Sequence, residues 1–63
     1  MKINLNPDSE NLPAGHILIE AKNKETGRGT QATADCKSSI DARNAFEAIM
    51  PQWEIIKASY IPE

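Results

Sequence analysis

"KSSIDARNAFEAIMPQ", Lys37 to Gln52, is the stretch in which the chain changes its period. Ala42, Ala45, Phe46 and Ile49 fall at i, i+3, i+4 and i+7, one apolar stripe on a helix of about 3.6 residues per turn. Ser38 is a natural N-cap, and Asp41 places a carboxylate near the orphan amides and the positive end of the helix. Pro51 forces the stop, because the residue before a proline is pushed out of helical geometry. The spacing predicts a helix from about Ser39 to Met50.

Upstream the period is that of a strand. In "HILIEAKN", His16 to Asn23, Ile17, Ile19 and Ala21 lie on one face, with His16, Leu18, Glu20 and Lys22 on the other. "RGTQATADC", Arg28 to Cys36, alternates Thr30, Ala32 and Ala34 against Gln31, Thr33 and Asp35. Small residues beside isoleucines suit a face on which a helix sits close. "KETG", Lys24 to Gly27, joins the two runs as a hairpin: a type I turn followed by glycine in the left-handed region, the common three-residue loop with a bulge. Gly29, inside the second run, marks a bulge or a close approach.

Downstream, "WEIIKASYI", Trp53 to Ile61, reads as a last strand ended by Pro62. Strict alternation puts Trp53, Ile55 and Ile61 on one face and Ile56, Ala58 and Tyr60 on the other. A strand apolar on both faces is usually buried on both. At the N-terminus "KINLN" alternates like a short strand, the cluster Pro7-Asp8-Ser9 turns, and residues 6–15 read as irregular. The expected fold is a single α+β domain over residues 1–63, an antiparallel sheet with one helix on one face.

Sixty-three residues lie near the lower limit for folding without a staple. A single cysteine, Cys36, excludes an internal disulfide, and with a single histidine, His16, it cannot complete a tetrahedral zinc site. Self-association is the natural supplement for so small a core. Seven Lys and Arg against nine Asp and Glu give a net charge of −2, which disfavours a protein that lives by neutralising phosphates. The start "MKINLNPDSE" has no apolar core of a secretory signal, and no apolar run approaches the ~20 residues of a membrane span. A cytoplasmic protein with a reduced thiol is the expectation.

The hairpin order sets His16 and Cys36 at the same end of the sheet, yet a half-buried cysteine beside a surface histidine is the plainer account. No catalytic residue, cofactor or metal ligand is assigned. Asp41, Glu47 and Glu54 read as a solvated face. Lys22, Lys24 and Arg28 cluster at the hairpin tip and are the candidate contacts to nucleic acid, since a β-ribbon can enter a groove. Their glycines flank an arginine and feed a strand, so the phosphate-loop mechanism is excluded.

The stronger candidate is a protein interface. With Ile17, Ile19, Ala32, Ala34, Ile56, Ala58 and Tyr60 beneath the helix, the opposite face would expose Leu18, Trp53 and Ile55. Trp is enriched at interface hot spots, and contiguous apolar patches mark interaction sites. Ile3, Leu5 and Leu12 are the residues available to cover that face instead. The expected function is a non-enzymatic module binding itself or another protein through this face. In size and shape the chain resembles compact proteins of phages and mobile elements, some of which are protein-binding inhibitors; that likeness implies an accessory or regulatory role.

Overall fold

The computed structural model describes residues 2–7 and 10–63. Five elements follow one another: β1 (Ile3–Leu5), β2 (Ile17–Asn23), β3 (Gly29–Ala34), α1 (Ser39–Ile49) and β4 (Trp53–Tyr60). The strands form one antiparallel sheet in the order β1-β3-β2-β4, and α1 packs on β2 and β4. This is the small α+β fold expected, with "KINLN" supplying a true fourth strand. The turn expected at Pro7-Asp8-Ser9 falls, at Asp8 and Ser9, outside the described residues.

The helix begins where its cap chemistry says. Ser38 is extended, and its hydroxyl accepts from the Asp41 amide at 3.3 Å. At the other end Met50 leaves helical geometry ahead of Pro51, and its amide still donates to the Phe46 carbonyl at 2.7 Å. Ala42 and Phe46 are fully buried, whereas Ile49, the last member of the predicted stripe, is 56% exposed. Met50 packs against the core in its place, because the chain turns toward the sheet there.

The core is small. It consists of Ile17, Ile19 and Ala21 from β2, Ala32 and Ala34 from β3, and Ala42 and Phe46 from α1. Register explains the set: Ile17 faces Ala34 and Ile19 faces Ala32, so small and large side chains alternate under the helix. On β1, Ile3 and Leu5 face Ala34 and Ala32 and therefore share the helix side of the sheet. Of the three residues expected to cover the opposite side, only Leu12 remains available to do so.

The connections dictate what covers each face. β1 and β2 are parallel neighbours across β3, and so are β3 and β4 across β2. Both connections step in the same lateral direction, but their strands run in opposite senses. The right-handed preference for such crossovers predicts opposite faces: α1 on one, the described residues of the β1–β2 connection on the other. The burial of Thr33 agrees. It points away from the helix between Ala32 and Ala34, and it is only 1% exposed. Leu12 and Pro13 of the connection are half-buried.

The hairpin loop is one residue longer than expected. Asn23 and Arg28 still bond, Asn23 N to Arg28 O at 2.8 Å, so the loop runs from Lys24 to Gly27. The Asn23 side chain organises it, Oδ1 accepting from the amides of Glu25 (2.8 Å) and Thr26 (3.0 Å). Gly27 has φ 77°, whereas Gly29 pairs regularly with Lys22 and carries no bulge. The two glycines should thus respond oppositely to alanine. Gly27→Ala should cost about 1–2 kcal/mol, because L-residues are strained at positive φ. At Gly29 a Cβ would meet nothing closer than the Ala21 carbonyl at 3.9 Å, so Gly29→Ala should gain roughly 0.4–1 kcal/mol. Urea denaturation of the two variants checks both signs.

Candidate functional site

The bulge that Gly29 lacks lies in β4. Glu20 faces Lys57 but Ala21 faces Ile55, so Ile56 has no partner on β2. One extra residue reverses the alternation on one side of it. Trp53, Ile55, Ala58 and Tyr60 face Asn23, Ala21, Ile19 and Ile17, and all four lie on the helix side. Glu54, Lys57 and Ser59 face Lys22, Glu20 and Leu18 on the other side. Ile56 joins this second set: it is 62% exposed and borders a shallow depression with Glu20 and Gln31.

The proposed trio Leu18, Trp53 and Ile55 is therefore divided by the sheet. Trp53 and Ile55 are half-buried against the core on the helix side, and Leu18 is half-buried beside Thr33 on the opposite side. Likewise Ile56, expected beneath the helix, is the residue turned away from it. Unbroken alternation cannot be kept, because Ile55 and Ile56 compete for one inward position and Ile55 takes it.

What β4 builds instead is a groove on its helix side. Trp53 and Ile55 contribute to it, with Arg43 and Glu47, one helical turn apart on α1, and Lys24 and Glu54 at its margin. Its volume is ≈ 510 Å³, and it is open to solvent. Arg43 was not singled out from sequence, and Glu47 was read only as part of a solvated face; the signal for both was an i, i+4 charged pair flanking the apolar stripe. β4 also lies at one margin of the sheet, and among the described residues no strand pairs with its outer edge.

Lys22, Lys24 and Arg28 are all exposed, at the turn end of the hairpin. Acids accompany them: Glu25 within the loop, Glu54 opposite Lys22, and Glu47 at the groove that Lys24 borders. The Lys24 amide donates to the Gln52 carbonyl at 3.0 Å, which ties the tip to the start of β4.

At the other end of the sheet His16 and Cys36 have separate partners. His16 Nε2 lies 3.5 Å from an Asp35 carboxylate oxygen, and the Cys36 thiol donates to the Ser38 carbonyl at 3.4 Å. Among the described residues no group of three or more His, Cys, Asp or Glu is placed to hold a metal ion. None of the described helices is long and apolar enough to cross a membrane. No protein-family model, curated protein or solved structure matches this chain.

Proposed function

We propose that this chain is a non-enzymatic protein-interaction module that engages its partner along the outer edge of β4 and the groove beside it. The observation that supports this reading is the eight-residue β4, paired on one side only among the described residues, with Trp53 and Ile55 half-buried at the adjoining groove. A free edge offers a row of backbone donors and acceptors to an extended segment, and neighbouring side-chain pockets supply specificity. A half-buried Trp gives such a site its anchor. An accessory or regulatory role of the phage or mobile-element kind is consistent with a chain that binds and does nothing else.

Site-directed photo-cross-linking tests the location without disturbing the core. A benzophenone side chain at Arg43 or Glu54, both exposed beside the groove, should yield protein adducts in cells. The same group at Asn4 or Lys37, exposed elsewhere, should yield none. Adducts from Asn4 or Lys37 alone would place the interface away from β4 and end this reading.

Nucleic acid at the tip is the competing reading. Contacts from Lys22, Lys24 and Arg28 would give an affinity that falls steeply with salt. The mixed charges around the tip lead us to expect no salt-sensitive binding to duplex DNA or RNA in a titration at low ionic strength. Binding that weakens on Arg28→Ala and Lys24→Ala would reverse the ranking.

A further inference from the structure

We infer that the partner taken by the β4 edge is a second copy of this chain, paired antiparallel about a two-fold axis between Ile56 and Lys57. The inference rests on the edge reading above and adds the occupant. Two antiparallel strands related by a two-fold normal to the sheet must set side chains of the same face opposite each other. In a regular strand this requires some residue to face itself. The bulge changes that requirement, since Ile56 and Lys57 together occupy the place of one residue on the side away from the helix.

With the axis between them, Trp53 meets Tyr60 of the second copy and Ile55 meets its Ala58, all on the helix side. Glu54 meets Ser59 and Ile56 meets Lys57, all on the opposite side. No other register that pairs the residues of β4 one to one across the bulge keeps the faces matched. Facing Lys57 to Lys57, for example, would oppose two like charges and set Ile56 against Ala58 across the sheet.

The matched register is chemically complementary along its length. It joins aromatic to aromatic at each end, aliphatic to aliphatic inside them, and leaves Glu54 diagonal to Lys57 of the second copy. Tyr60, 45% exposed, and Ile56 are the apolar side chains that β4 leaves in solvent, and this pairing covers both. A bulge and a lysine usually protect an edge from unplanned pairing. Here a strand with its own bulge at the same place can pair one to one across it, whereas β2, which has none, spans it two residues to one. The buried core, seven residues among those described and four of them alanine, gives the chain a physical reason to associate.

Cross-linking in a Cys36→Ser background reads the register directly. A mixture of Glu54→Cys and Ser59→Cys proteins treated with a short bismaleimide should give a covalent dimer, and neither protein alone should. Sedimentation of the unmodified chain should show the mass double as concentration rises. Deleting Ile56 removes the unpaired residue and leaves every β2–β4 pair in place, so this variant should keep its circular dichroism and sediment as a monomer. A monomer at all concentrations overturns the self-pairing, yet leaves the edge reading standing if Arg43 and Glu54 still capture another protein. A dimer that cross-links Glu54→Cys to itself overturns the register, and one that cross-links at neither position overturns both readings.

Discussion

Phe46→Ala should leave the chain largely unfolded at room temperature. Phe46 is the largest fully buried side chain, and it is the one large residue that α1 contributes to the core. Truncating a buried Phe costs about 3–5 kcal/mol, the lost transfer energy plus the cavity left behind. The whole core of a domain this size supplies only ~3–5 kcal/mol. The remaining neighbours cannot close the gap, because Ala21, Ala32, Ala34 and Ala42 have no side-chain reach. Ile49→Ala, two residues inside the proline stop and mostly exposed, should by contrast change stability by no more than about 0.5 kcal/mol. Far-UV circular dichroism against urea for the two variants measures both. A cooperative transition for Phe46→Ala near that of the parent chain would show that the core resides elsewhere.

How much of this was legible beforehand depended on whether one residue could be placed from its type alone. The helix was legible at both ends, since Ser38 and Pro51 each have a single mechanical reading. The sheet side of β2 and β3 was legible too, because Ile17, Ile19, Ala32 and Ala34 alternate with polar neighbours. β4 was not, and the reason is local. Ile55 and Ile56 are the same residue, so hydrophobicity cannot say which turns inward. The signal lay in the charges. Glu20 and Lys22 stand two apart on β2, whereas their opposite numbers Lys57 and Glu54 stand three apart on β4. Opposite charges face each other in both pairs only if one residue between 54 and 57 bulges. That inference was available from sequence, and it would have moved Trp53 and Ile55 to the helix side and emptied the apolar patch around Leu18. The cover over Thr33 was harder to foresee. It follows from the handedness of two crossovers, and so from β1 being a strand at all.

Deleting residues 2–6 should therefore destabilise the chain by about 2–5 kcal/mol, the scale of a buried large-to-small change. The short β1 looks dispensable by length, but it performs two tasks. Ile3 packs against the core from the edge, and backbone bonds clamp β3: Asn6 N to Gln31 O at 3.1 Å and Asp35 N to Lys2 O at 2.9 Å. Asn6, with φ 54°, then turns the chain back toward β2, starting the connection assigned to the far face. Without β1 that connection loses its anchor, Thr33 loses its cover, and β3 becomes a bare edge flanked by alanines. A flat apolar edge of that kind pairs indiscriminately. The truncated chain should form aggregates that grow with concentration, unlike the defined dimer expected through β4. Trp53 is the internal control, for it sits on β4 at the opposite margin of the sheet. In the folded fraction its fluorescence maximum should match that of the intact chain, even as the urea midpoint falls. A shifted maximum with an unchanged midpoint would mean that the N-terminal residues lie over Trp53 and that β1 contributes little to the sheet.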